Sequence, residues 1–391
     1  MIKRNKFDLY NLANLILDKL PEEVFKSKTT KFLDPAMGGG QFCYATEDRL
    51  RRYGHNDENI SQRVFGFESV IMDIRFAVNK YKLLGQYSIV NPTTFLETET
   101  LGMKFDVILG NPPYQGKAAL HQQFFNKSVD LLKDGGHLSI IQPATPYFNK
   151  KEKKKKPEAD MLENVLKYDT SIRIVRPDAF KNASIQNYLA VTTLVKTPGD
   201  ETLSTVEYAS GEVYHDVKLE DISMTQIDPT LYANIRKKFE NHIAEHGSLQ
   251  DHISRDVSKK KAALPKIRGT LPTDDDFYSF VPLAGSKELA NWTDNRKSDF
   301  GVSISNCEQR ANVYDYLTSD VALFGLAILK FSQNTANKEY AYVPWVDMDY
   351  TYTNRELYKM LKLTKVEVDA IVSVLNNRYR RPERDSQAQR A

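Results

Sequence analysis

Cysteine is almost missing: Cys43 and Cys307 are the 2 in 391 residues. They lie too far apart to set a metal-ligand spacing. So few thiols fit a reducing cytoplasm better than a disulfide-stapled scaffold. No unbroken apolar run is long enough to span a bilayer, so no membrane partner is expected. The first residues, "MIKRNKFDLYNLANLILDKLPEEV", put charge before an apolar stripe. Asn11, Asn14, Asp18 and Lys19 interrupt that stripe, so an amphipathic helix is expected rather than a signal peptide. Neither charge sign dominates: 54 Lys and Arg face 51 Asp and Glu, a net +3. Affinity for a polyanion must therefore come from local patches. No internal repeat is present. The Gly-Lys-Ser/Thr phosphate loop and the full dinucleotide fingerprint are both missing as well, which argues against a nucleotide cradled by its phosphates.

What is present is an alternating pattern. The chain is 41% hydrophobic and 11% aromatic and long enough for two cores. Residues 31–197 alternate strand and helix signals. "KFLDPA", "RVFGFES", "YSIV", "FDVILG", "HLSIIQP", "SIRIVRPD" and "LAVTTLVKT" read as strands. "GQFCYATEDRLRRYG" closing on Gly54, "VIMDIRFAVNKYKLLG" closing on Gly85, and "HQQFFNKSVDLLKDGG" read as helices. The pattern predicts an α/β fold with a mostly parallel, doubly wound sheet. The lysine run "NKKEKKKKPEAD", residues 149–160, reads as a mobile surface loop, because like charges repel and stay solvated. "STVEYASGEVYHDVKL" alternates around Ser210-Gly211 as a hairpin does. From about residue 226 the strand–helix alternation stops. The expected division is therefore 1–225 and 226–391, with an α+β second domain. That domain ends in two short helices with capping-box spacing at Thr353/Glu356 and Thr364/Glu367.

Two stretches carry chemistry. "FLDPAMGGGQF" ends a strand on Asp34 and turns through Gly38, Gly39 and Gly40 into a helix. In an open parallel sheet, ligands sit at the carboxyl ends of strands, and glycine lets backbone approach them. A glycine turn that merely packs is the bland alternative. The next strand ends on Glu68, near the spacing at which a carboxylate accepts from ribose hydroxyls, so a nucleoside ligand fits better than a nucleotide. The second stretch is "DVILGNPPYQ", a buried strand ending in Asn111-Pro112-Pro113-Tyr114. The prolines fix φ and cannot extend the sheet ladder. They leave an amide, a fixed carbonyl and a flat ring at a strand end.

Asp34-Pro35-Ala36-Met37-Gly38-Gly39-Gly40-Gln41-Phe42 followed by Asn111-Pro112-Pro113-Tyr114 resembles the S-adenosylmethionine-dependent amino methyltransferases of DNA. The order resembles the class with the cofactor motif first and target recognition last, mostly N6-adenine enzymes of restriction-modification systems and phages. The likeness runs motif by motif over residues 7–197. It implies a Rossmann-like catalytic domain (1–225), a target-recognition domain (226–391), S-adenosylmethionine as cofactor and double-stranded DNA as partner. It also implies a separately encoded restriction endonuclease as a companion, a monomer or weak dimer, and the cytoplasm of a prokaryotic or phage-infected cell. Asp34, Pro35, Ala36, Gly38, Gly40 and Phe42 would cradle the methionine end of the cofactor, and Glu68 the ribose. Asn111, Pro112 and Tyr114 would hold the target amine and base, with Phe180, or alternatively Tyr188, on the base's far face. Asn111 would also border the cofactor.

Thr94 and Phe95 stand at the adenine-contacting segment. Thr94 replaces the family's acidic residue there, so that contact weakens or moves to Asn91. The family's N-terminal Thr-Pro is also absent. In the C-terminal half, Lys259, Lys260, Lys261, Lys266, Arg268 and Arg296 are the expected phosphate contacts, with a solvated basic face as the bland alternative. The residues leave other substrates open: N4 of cytosine, RNA, or a protein glutamine. A DNA-binding protein with a vestigial methyltransferase core is a non-enzymatic alternative.

Overall fold

The computed structural model describes residues 9–97, 102–114, 119–148, 155–175, 188–254, 261–263, 266–269, 278–281, 301–303, 307–329 and 337–380. The chain forms two compact units, Met1–Leu219 and Glu220–Ala391. The division falls a few residues before the expected 225/226. Glu220 and Asp221 pair with Arg236, and Ile227 enters the core of the second unit, so residues 220–225 belong to that unit.

The first unit runs α1 (Leu9–Leu17), α2 (Glu22–Lys26), β1 (Phe32–Asp34), α3 (Gln41–Arg52), α4 (Asp57–Ser61), β2 (Val64–Glu68), α5 (Ile71–Tyr81), β3 (Gln86–Ile89), α6 (Pro92–Glu97), β4 (Phe105–Gly110), α7 (Leu120–Leu131), β5 (Leu132–Pro143), α8 (Thr145–Phe148), α9 (Lys156–Lys167), β6 (Tyr168–Val175), β7 (Leu189–Pro198), β8 (Leu203–Glu207) and β9 (Val213–Val217). The strands make one sheet in the order β3-β2-β1-β4-β5-β7-β6-β8-β9. The half from β3 to β5 is parallel, as expected for strands alternating with helices. β7 then enters antiparallel between β5 and β6. The hairpin around Ser210-Gly211 is β8–β9.

Apolar runs make the central strands core. Val107, Ile108 and Leu109 of β4 are all buried, as a strand covered on both faces requires. α1 packs on α3 through Leu12, Ala13, Ile16 and Leu17, the amphipathic stripe of the N-terminal segment. Two buried or half-buried carboxylates set the frame. Glu47 on α3 accepts from Leu84 N (2.9 Å), Gly85 N (2.9 Å) and the Tyr87 hydroxyl (2.6 Å), which fixes the entry to β3. Asp106 accepts from Lys31 N (2.8 Å) and pairs with Lys133 (2.7 Å), which ties the start of β4 to both neighbours.

Three sequence expectations need correction. α5 stops at Tyr81, capped by Lys82 in the left-handed region, rather than running to Gly85. Gly85 serves close approach instead, since a Cβ there would lie 2.4 Å from the Val64 carbonyl oxygen. α7 ends at Leu131 and β5 begins at Leu132, because Phe105 already pairs with Leu132 across the sheet. The lysine run is not a loop throughout: α9 opens at Lys156, with Pro157 in its first turn, where a missing N–H costs nothing. Residues 149–154 lie outside the described ones.

The second unit contains α10 (Pro229–His246), α11 (Leu249–His252), β10 (Ile253–Ser254), β11 (Lys261–Ala263), β12 (Lys266–Gly269), β13 (Tyr278–Val281), β14 (Gly301–Ser303), α12 (Cys307–Leu317), α13 (Asp320–Leu329), α14 (Asn354–Met360), α15 (Lys365–Arg378) and β15 (Tyr379–Arg380). Its core gathers Tyr232, Ile235 and Phe239 of α10 with α13, Leu357 and Ile371. Both expected capping boxes form, at Thr353/Glu356 and at Thr364/Glu367. No helix among the described residues is long and apolar enough to cross a membrane.

Candidate active site

β1 and β4 are neighbours, with Leu33 beside Ile108, so the glycine turn and the Asn-Pro-Pro-Tyr segment leave adjacent strands at the same sheet edge. They touch there. A Cβ on Gly110 would lie 2.7 Å from the Asp34 Oδ1, so the residue before Asn111 has to be glycine while Asp34 keeps its place. Gly110 is a requirement that the strand pattern alone does not reveal.

The turn after β1 is held from three sides. Asp34 Oδ1 accepts from Ala36 N (3.0 Å), and Met37 N donates to the Phe67 carbonyl (2.9 Å). Gly38 and Gly40 adopt φ of 48° and 78°, which disfavours other residues there. At Gly40 a Cβ would also meet the Ala77 Cβ at 2.6 Å, so this glycine lets α3 start close to α5. Burial pushes the Asp34 carboxyl up to about 7, and the nearby Glu68 charge pushes the same way against the Ala36 hydrogen bond. Glu68 ties β2 to the turn: Oε2 accepts from Gly38 N (2.9 Å), and Oε1 accepts from Ser69 N (2.7 Å), Ser69 Oγ (2.9 Å) and Val70 N (3.1 Å). A carboxylate offers about four acceptor positions. Oε2 therefore keeps one for a ligand hydroxyl, and the Ser69 hydroxyl can be exchanged for a second.

At the end of β4 the Tyr114 hydroxyl donates to Asn111 Oδ1, the amide oxygen expected to accept from a target amine, and also reaches the Ile141 carbonyl oxygen (3.4 Å). The ring of Tyr114 is only half-buried. Burial pushes its hydroxyl well above the usual phenol range, so it stays a donor. His121, in the first turn of α7, meets that ring edge-on, with centroids 6.2 Å apart at 88°. Burial lowers His121 to about 4, so its imidazole is neutral near pH 7. Its Nδ1 is buried without a partner among the described residues. Sequence reasoning missed His121, although its spacing to Phe124 and Phe125 puts it toward the apolar side of its helix.

The expected site residues fall into groups. Asp34, Pro35, Gly40, Phe42 and Pro112 are buried supports, whereas Ala36, Gly38, Glu68, Asn111 and Tyr114 are partly open. Phe95 differs from expectation: it is 1% exposed and stacks on Phe124 at 4.8 Å, with Phe67 at 6.2 Å, so its ring belongs to the core. Thr94 is exposed, and its N–H donates to Asn91 Oδ1 (2.8 Å), so Asn91 caps α6. Phe180 lies outside the described residues, and its alternative Tyr188 precedes β7, with its carbonyl accepting from Ala144 N. Lys261 lies in β11, and Lys266 and Arg268 in β12. Lys259, Lys260 and Arg296 fall outside the described residues.

Residues 27–167 match the model of the family described as Eco57I restriction-modification methylase, and this segment holds both motifs. The chain is also similar to solved structures. One is the M protein of the type I restriction enzyme EcoKI, at 15% identity and TM-score 0.41, over 53% of this chain and 49% of that one. Another is a type I restriction-modification methyltransferase subunit from Streptococcus thermophilus, at 16% identity and TM-score 0.39, over 52% of this chain and 47% of that one. A third is the type ISP restriction-modification enzyme LlaGI, seen with a DNA substrate mimic, at 14% identity and TM-score 0.41, over 51% of this chain and 27% of that one. The matched region thus spans about half of the EcoKI and Streptococcus proteins and less of LlaGI. No curated protein matches the chain significantly.

Proposed function

We propose that the protein transfers a methyl group from S-adenosylmethionine to the N6 amine of an adenine extruded from duplex DNA. The observation that carries this reading is the contact of the two motifs: Asp34 lies against Gly110, directly before Asn111, at the carboxyl ends of adjacent parallel strands. The match of residues 27–167 to a restriction-modification methylase family supports it. The residues present suit the cofactor. The Gly38 backbone and the remaining acceptor position of Glu68 fit a ribose, and the Asp34 carboxyl, buried and poised near neutrality, suits a neighbouring cation.

When bound, the cofactor supplies an electrophilic methyl on a sulfonium. The protein's own work lies with the acceptor nitrogen. The adenine amine is a weak nucleophile because its lone pair is delocalised into the ring. Asn111 Oδ1 and the Pro112 carbonyl would accept from its two N–H bonds and favour a pyramidal nitrogen; as the N–C bond forms, the sulfonium S–C bond breaks to leave a neutral thioether, and the surplus amine proton leaves to solvent. The prolines hold that carbonyl still. The Tyr114 hydroxyl donates to the Asn111 Oδ1, so a target amine would take over a hydrogen bond whose acceptor is already aimed. The Tyr114 ring supplies a face for the extruded base. Positioning carries the rate enhancement, since the methyl donor is already activated.

Incubation with methyl-labelled S-adenosylmethionine and, separately, duplex DNA, structured RNA and protein extract tests the reading. Label is expected in duplex DNA. Label confined to RNA or protein would overturn it.

A further inference from the structure

The second unit ends in a pair of short helices joined by a tight turn. α14 has 7 residues and α15 has 14, joined by a short turn over 361–364. Both pack on α13, which is buried from Asp320 to Ile328. Lys362 takes the turn in the left-handed region, at φ 55°. A short helix, a turn of about 3–4 residues and a second helix, braced by a third, have the element order of a helix-turn-helix, in which the second helix enters the major groove. Each helix start is fixed by its own capping box, so the turn has a defined shape.

The charges on this element are one-sided. Arg355, Lys359 and Lys362 recur along the outer side of α14 and its turn, away from the buried Leu357 and Leu361, and Lys365 opens α15. All four are exposed, and no ion pair among the described residues engages them. Two of the three carboxylates on these helices are otherwise committed: Glu356 caps α14, and Glu367 caps α15 and pairs with Lys238 at 2.6 Å. Asp369 is the exposed acid on the outer side of α15. Arg355 and Lys359 stand at i and i+4 as like charges, a spacing that disfavours an isolated helix.

We propose that α13, α14 and α15 form a helix-turn-helix docking element for duplex DNA, a proposal that rests on the DNA reading above. Arg355, Lys359 and Lys362 contact backbone phosphates. The outer face of α15, with Lys365, Val366, Asp369 and Ser373, lies toward base edges. Val366 is 65% exposed and suits a thymine methyl, and Asp369 can accept from a cytosine amine.

The test measures binding of the full-length protein to labelled duplex of random sequence as salt is raised. The triple variant Arg355→Gln, Lys359→Gln, Lys362→Gln should flatten the slope of log affinity against log salt by about 0.9 per lost phosphate contact, so by roughly 2–3 in all. Its cofactor affinity by calorimetry should not change. Asp369→Asn with Ser373→Ala should leave the slope alone and shift which sequences are methylated. If the triple variant melts early, Lys359→Gln alone should flatten the slope by about 0.9. Wild-type slope and affinity in the variants would overturn the docking element while leaving the catalytic reading intact. A wild-type protein that binds cofactor but no duplex would overturn the DNA reading, and the docking element with it.

Discussion

Asp34 stands where two motifs meet, and its ionisation makes a specific prediction. Its carboxyl titrates near 7 in the folded protein because burial disfavours the charged form. A folded pKa above the unfolded one means the native state binds more protons between the two values. The stability contribution of Asp34 is thus retained at low pH and falls away as pH rises through about 7. A cation arriving beside it draws the pKa back down. Cofactor binding near pH 7 should therefore release a proton, and calorimetry in buffers of different ionisation enthalpy should detect it. Asp34→Asn should abolish the release; equal release in that variant would place the titrating group elsewhere. Tyr114 makes a second prediction. Its hydroxyl donates to the Asn111 Oδ1, the acceptor that the proposed chemistry reserves for the target amine. Tyr114→Phe should therefore keep turnover within a few-fold, whereas Tyr114→Ala should lose about 1–3 kcal/mol of base stacking. A Tyr114→Phe variant as impaired as Tyr114→Ala, read from kcat/KM on duplex DNA, would make the hydroxyl part of the chemistry.

Among the elements, β1 and β4 were readable in advance because each is a short apolar run ended by proline-containing sequence, and strand ends with such punctuation seldom mislead. Their contact was not readable, since it depends on sheet order and on Asp34 leaning over Gly110. Gly110→Ala should therefore displace the Asp34 carboxylate and loosen the turn that it holds. Denaturant titration should show a loss on the order of 1–3 kcal/mol, typical of overpacking, together with weaker cofactor binding. Wild-type stability and affinity would mean the motifs do not depend on each other. The antiparallel β7 between β5 and β6 escaped the sequence because a buried apolar run carries no sign of strand direction. The start of α9 inside the lysine run escaped it because Pro157, which reads as a breaker, also serves as a helix start. His121 went unnoticed because a lone histidine on an apolar helix side looks like core until its neighbour Tyr114 is seen.

On the scale of the whole chain, each unit has its own core, and the first unit holds both motifs that carry the proposed chemistry. Its parallel half follows from the strand–helix alternation. In the second unit the capping boxes were legible as Thr and Glu spacings, while the bracing of α14 and α15 on α13 needed the tertiary structure. The proposed action of Asn111 on an adenine amine is read out most directly by nucleoside analysis. Duplex DNA is treated with wild-type protein and labelled S-adenosylmethionine, digested to nucleosides and separated by chromatography. The same is done with Asn111→Ala, which should still bind cofactor and DNA because the amide acts on the transition state. Label should appear in N6-methyladenine with wild-type protein, and essentially none with the variant. Label in N4-methylcytosine, or near wild-type turnover by Asn111→Ala, would contradict the proposed action.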